Sequence, residues 1–336
     1  MFSNTVKRAD RVLLKVVLRG LLTRPLVLVV VLGLGLALGT APAATAKSGA
    51  ESATPIFWQI ELASSSGDSK AGRLYLLGSI HVGPKAGWQL PKSVLDRFES
   101  AKVLVVEVDM RAGTPEEQDN AVLQHGLLPG GESIKNHISP DLYKLLGQHL
   151  KKSRRSLANI NPWQPWMVAT MLLTFELEKL GYPTETGIDL DMIARVADDQ
   201  RIIGLESMVE QLAFLSSMSP ANQELMLRDV LLQADGIEGY FIELKEAWRL
   251  GDEARLEAVL FRELEANPEL APFYDRVIYG RNHSMCQRFH ELLAGGETLF
   301  GVVGAYHLVG TRGIPACLAK RGYRVRRLRA PGNAGS

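Results

Sequence analysis

Four short, almost unbroken apolar runs limit what this chain can fold into. Residues 74–77 (LYLL), 103–106 (VLVV), 202–203 and 299–303 (LFGVV) are too short for helices. They also lack the polar alternation of a strand with one wet face. Such runs suit strands of a parallel sheet covered on both faces, and they predict an α/β fold with a mostly parallel central sheet. Residues 56–62 alternate as a further strand, and 64–70 are turn chemistry. Residues 323–328, alternating with arginines, suit a sheet edge.

Each run gives way to a polar group. The runs lead in turn into Gly78-Ser79-Ile80-His81, Glu107, Gly204-Leu205-Glu206 and Gly304-Ala305-Tyr306-His307. If the strands are parallel, His81, Glu107, Glu206 and His307 meet beyond their carboxyl ends, where open α/β proteins place their sites. Glycine permits the sharp exit from a strand that such a turn needs. Two imidazoles and two carboxylates suit a divalent ion such as Zn, Mn, Co or Fe. The ion would lower the pKa of a bound water and polarise a carbonyl, with a glutamate as ligand or general base. The same groups could also act without metal, a histidine serving as base and a glutamate orienting it. A single His or Glu after a strand is ordinarily a cap or a buried hydrogen-bonding group. Four in one chain, two of them in matching G-x-x-H turns, favour a site.

Taken with Val105-Val106-Glu107, Gly187-Ile188-Asp189 and Gly304-Ala305-Tyr306-His307-Leu308-Val309-Gly310, these motifs resemble the TraB/GumN family across about residues 55–328. That family includes the Tiki metalloproteases, with erythromycin esterase-like and ChaN-like proteins as more distant relatives. The resemblance implies a shared α/β fold with a large helical insertion and metal-dependent hydrolysis of peptide bonds in a peptide or protein substrate. The metal it implies is Mn or Co, with Zn kept open by the ligand types. It assigns His81, His307, Glu107 and Glu206 to the metal. Glu107, Glu206, Arg281 and Asn282 become the candidate catalytic residues. Arg281 and Asn282 would orient a substrate carbonyl or the glutamates; a surface arginine beside a capping asparagine is the plain alternative. Asp189 would brace the site, or serve simply as a helix N-terminal acid. Three functions stay open: a metal-dependent hydrolase, a non-catalytic binder of peptide, saccharide or metal, and a metal-free esterase-type hydrolase.

Between the strand segments lie helical patterns. Residues 92–101, 140–149, 163–180 and 190–197 read as helices. From about 208 to 293 a helical run is broken at Ser219-Pro220, Gly236, Gly251-Asp252 and Asn267-Pro268. One domain over 55–328 is the simplest division. Trp248 and Leu250 read as core, and Trp88 as a candidate for a cleft mouth together with Trp163 and, less so, Trp166. The basic run 151–155 reads as a solvated face. His125, His137, His149, His283 and His290 are scattered without ligand spacing.

The net charge of +1 gives no footing to a nucleic-acid binder, and it averages two unlike pieces. Lys7, Arg8, Arg11, Lys15, Arg19 and Arg24 precede an apolar run at 26–38 and the small residues Ala44-Thr45-Ala46. This is the pattern of a secretory signal over 1–46, or of an uncleaved anchor. Its removal takes six basic residues and one acid, turning +1 into −4. The rest reads as an exported, periplasmic or secreted body with a flexible lead-in at 47–54 and a polar tail at 329–336. Tiki and TraB-type relatives carry carboxy-terminal membrane segments, so the polar tail matches the short exported GumN-type branch. Cys286 and Cys317 would both lie where oxidation is permitted, and the sequence leaves their pairing open.

Overall fold

The apolar runs become strands in the computed structural model, which describes residues 55–62 and 72–329. The strands are β1 (Phe57–Leu62), β2 (Arg73–Ser79), β3 (Val103–Val108), β4 (Arg201–Glu206), β5 (Thr298–Gly304) and β6 (Tyr323–Arg327). They form one sheet in the order β4-β3-β5-β2-β1-β6. β4, β3, β5 and β2 run parallel to one another, while β1 runs antiparallel to both β2 and β6. The fold is therefore α/β with a mostly parallel sheet. The signal reading at 1–46, the lead-in at 47–54, the turn at 64–70 and residues 330–336 of the tail lie outside the described residues.

Register makes the parallel strands end together: Ser79 lies opposite Gly304, Val106 opposite Val302, and Val108 opposite Glu206. The inner strands β2, β3 and β5 are buried nearly throughout, as their unbroken apolar runs require. β4 departs from the expectation of two covered faces. It is an edge strand, half-buried along most of its length. β6 forms the opposite edge and keeps Arg324 and Arg326 exposed, a pattern that discourages pairing with another chain.

In chain order the longer α-helices are α1 (Lys92–Ser100), α2 (Pro115–Gly126), α3 (Pro140–Lys152), α4 (Pro165–Lys179), α5 (Ile188–Ala194), α6 (Met208–Ser216), α7 (Pro220–Gln233), α8 (Ile237–Leu250), α9 (Glu253–Ala266), α10 (Gly280–Ala294) and α11 (Ile314–Lys320). The proline and glycine breaks fall between them, and Asp252 caps α9 by accepting from the Arg255 N–H. By Cα proximity the described chain divides into two compact units. One comprises Met110–Glu185 and Met208–Leu232; the other holds the sheet, with residues 55–109, Thr186–Ser207 and 233–329.

Within the helical unit, α4 is buried on every side from Pro165 to Leu173, with Trp166 fully enclosed. Trp163 is equally buried, so neither tryptophan lines a cleft. The basic run is largely exposed, and Arg155 lies over the Phe175 ring at 3.5 Å. α2 is a helix that apolar periodicity does not reveal; its start is fixed by a capping box between Thr114 and Glu117.

Within the sheet unit, Trp248 is core but Leu250 is exposed, contrary to expectation, because it ends α8 on the outer side. Trp248 Nε1 donates to the Gly78 carbonyl at 2.7 Å, and Trp88 Nε1 donates to that of Val82 at 2.9 Å. With their rings packed edge to face, the two tryptophans support the first G-x-x-H turn. Cys286 on α10 and Cys317 on α11 form a disulfide. No helix among the described residues is long and apolar enough to cross a membrane.

Candidate active site at the carboxyl edge of the parallel strands

Each strand end delivers one polar group to this edge. Glu107 is the penultimate residue of β3, inside the strand rather than beyond it, and Glu206 is the last residue of β4. His81 comes two residues after β2, and His307 sits in a single 3-10 turn, Ala305–Leu308, directly after β5. α10 brings Arg281 and Asn282, and the first turn of α5 brings Asp189. All seven residues belong to the sheet unit.

The centre of the group is Gly304. A β-carbon there would stand 3.2 Å from both Glu107 Oε1 and His81 Nε2, and 3.7 Å from His307 Cδ2. His307 Nε2 lies 3.6 Å from the same Glu107 oxygen. Absence of a side chain at Gly304 is what lets these three groups face one another. The Gly304 N–H also donates to Glu107 Oε1 at 2.6 Å.

Both imidazoles are fixed through the nitrogen that faces away. His81 Nδ1–H donates to Asp189 Oδ2 at 2.7 Å. His307 Nδ1–H donates to Asn282 Oδ1, whose amide nitrogen in turn donates to the Arg312 carbonyl at 2.9 Å. Because the partner atoms are acceptors, Nδ1 carries the proton in both rings, and both Nε2 atoms face Glu107. Such outer hydrogen bonds orient metal-binding and catalytic histidines alike.

Glu206 stands apart from this trio. Arg281 Nη2 donates to Glu107 Oε2 at 2.7 Å, and its Nε donates to Glu206 Oε1 at 2.9 Å. The guanidinium thus joins the two carboxylates while it is almost buried itself, its side chain 10% exposed. Arg281 and Asn282 are inward-facing members of the constellation, not a surface arginine and a cap.

The charges shape one another. Burial alone would raise the Glu107 carboxyl, but His307, Arg281 and His81 outweigh it and hold the group well below the usual carboxylate range. Burial alone would lower His81, but Asp189 and Glu107 overcome it and raise the ring to about 9. His307 has no anionic brace, and burial, with Arg281 and His81, takes it down to about 4 despite Glu107. The two rings are thus shifted in opposite directions from the ordinary imidazole value.

The donors suit a divalent ion in kind: two Nε2 atoms with tied Nδ1 protons, and one carboxylate oxygen. The 3.6 Å between His307 Nε2 and Glu107 Oε1 is a spacing that two ligands of one ion can share. No three His, Cys, Asp or Glu side chains among the described residues are already assembled around one metal position. The site thus has donors of suitable type, two imidazole nitrogens and a carboxylate oxygen, around Gly304. Among the other histidines, His125 contacts Ser216, His137 contacts Glu132, and His290 contacts Tyr323, none of them near a second ligand histidine.

Comparison with known proteins finds distant relatives. The chain is 25% identical over 247 residues to the uncharacterized protein YbaP of Escherichia coli (strain K12), covering 73% of this chain and 87% of that protein. It is 22% identical over 305 residues to Metalloprotease TIKI1 of Danio rerio, covering 75% of this chain and 60% of that protein. The figures for Metalloprotease TIKI1 of Xenopus tropicalis are 22% over 307 residues, 75% and 58%. The match thus leaves about two fifths of each TIKI1 chain uncovered. No solved structure matches. A sequence model of the TraB/PrgY/gumN family matches residues 56–327, a span that takes in both G-x-x-H turns, both glutamates and the Arg281-Asn282 pair, and the chain belongs to that family.

Proposed function

We propose that this chain is an exported metal-dependent hydrolase that cleaves peptide bonds. One observation carries the reading: His81 Nε2 and Glu107 Oε1 converge on the vacant Cβ position of Gly304, with His307 beside them. The names of the TIKI1 relatives support the reaction class. The amino-terminal basic and apolar segment supports export, and the Cys286–Cys317 bond suits an oxidising compartment.

His81, His307 and Glu107 would hold the ion, Mn, Co or Zn. A bound ion supplies a Lewis acid and a water of lowered pKa. Asp189 and Asn282 keep the two rings turned toward the centre. Arg281 keeps Glu107 ionised and its carboxylate plane fixed. Glu206, held through the same guanidinium, is a second carboxylate at this edge for proton transfer.

Metal analysis of the purified protein, with cleavage of a peptide library in the presence of Mn, Co or Zn, tests the reading. His81→Ala and His307→Ala are each expected to abolish cleavage, and equal activity in both variants and the wild type would sink the assignment. Gly304→Ala is a finer probe. Its φ of −51° accepts alanine without backbone strain, but the methyl occupies the point on which the donors converge. Turnover is expected to fall about 100-fold, a loss typical of small misplacements in a reacting centre. Circular dichroism should show an unchanged fold.

A second reading, metal-free hydrolysis, is favoured by the engagement of both Glu107 oxygens, by the Gly304 N–H and by Arg281. Chelation separates the two: reversible loss of activity excludes the metal-free reaction, and retained activity excludes the metal-dependent one.

A further inference from the structure

We propose that Asp189 is the positioning residue for His81, delivered by a segment of chain clamped onto the first G-x-x-H turn; this rests on the hydrolase reading. The segment from Thr186 to Asp189 lies against the turn from Ile80 to Gly83. Thr186 Oγ1 donates to the Gly83 carbonyl at 2.7 Å, and the Ile188 N–H donates to the Ile80 carbonyl at 3.0 Å. A β-carbon at Gly187 would stand 2.3 Å from the His81 carbonyl oxygen. One at Gly83 would stand 2.1 Å from that of Thr186. Both distances are far inside van der Waals contact with backbone, so each strip of chain approaches the other through a residue with no side chain. The approach places the Asp189 carboxylate 2.7 Å from His81 Nδ1 and leaves Nε2 pointing at Glu107 and Gly304.

Asp189 bonds the His81 nitrogen that is turned away from the centre, so its effect passes through the ring it holds. His307 is held by a different device, the neutral Asn282, itself tied to the Arg312 carbonyl. His81 depends on the docking of a separate segment, whereas the brace of His307 comes from α10. Interchanging carboxylate and amide at position 189 should preserve orientation, since either offers an oxygen to Nδ1–H.

The experiment uses the full chain and two readouts. One is Mn affinity by calorimetry. The other is the His81 Nδ1–H proton resonance, assigned by its absence in His81→Ala and protected from solvent exchange by its acceptor. Asp189→Ala is expected to lose the protected resonance and to weaken Mn binding about 10–100-fold. Asp189→Asn is expected to keep the resonance and hold affinity within about 3-fold, well short of the loss caused by removing an outer partner. Gly187→Ala retains Asp189 but wedges the segments apart, and it is expected to reproduce the alanine loss. Wild-type resonance and affinity in Asp189→Ala would overturn the proposal. So would an Asp189→Asn variant as impaired as Asp189→Ala. A wild-type protein that binds none of Mn, Co and Zn overturns the metal-dependent reading, and the resonance alone then decides whether Asp189 positions His81.

Discussion

Arg281→Met is expected to cost about 3–5 kcal/mol of folding stability, the usual consequence of stranding a buried charge. The guanidinium is nearly enclosed and joins Glu107 Oε2 to Glu206 Oε1. Methionine fills much of the volume but leaves two carboxylates facing each other at the sheet edge. The pH dependence should change with it. Glu107 is depressed in the folded chain, so its contribution is present above the ordinary carboxylate pKa and is lost as pH falls toward the folded value. Without Arg281 that depression shrinks, and the acid side of the stability profile flattens. Urea denaturation of both proteins at neutral and mildly acidic pH checks each part. A loss under about 1 kcal/mol at neutral pH would fit a surface ion pair and would contradict the buried geometry.

The second large effect concerns the disulfide. Cys286 and Cys317 are 31 residues apart, and opening a ring of that length is expected to cost about 3–4 kcal/mol in the loop-entropy description. The ring encloses most of α10, all of β5, the His307 turn and the start of α11. It pins the helix that carries Arg281 and Asn282 close to the turn they serve. The Cys286→Ser/Cys317→Ser double variant avoids a stray thiol and isolates the covalent contribution. Its denaturation midpoint should fall well below that of the oxidised wild type, and reductant should lower the wild type alone. Equal midpoints with and without reductant would remove the ring from the account of stability.

The parallel strands and their order of polar endings could be read from the sequence because both rest on local pattern. Unbroken apolar runs mean two covered faces, and a polar residue at the end of each run has one place to go. Legibility failed where the determinant is a tertiary neighbour. Half-burial of β4 comes from its lack of an outer partner, which its own residues do not encode. Leu250 looks like core but is exposed at the end of α8. The roles of Asp189, Arg281 and Asn282 could be named but not fixed, since surface and site versions have the same local sequence. Pairing of the cysteines likewise needed the distance between α10 and α11. One missed element did carry a signal: Thr114-Pro115-Glu116-Glu117 spells a capping box ahead of α2.

The antiparallel pairing of β1 with β6 has a consequence for timing. Residues 57–62 leave the ribosome early, yet their outer partner, residues 323–327, is made near the end of synthesis. β1 therefore waits through about 260 residues with one edge unpaired, and closing that span is among the slowest kinds of contact a chain can make. The candidate site keeps the same schedule, since its members run from His81 to His307. No nascent fragment shorter than that can assemble it.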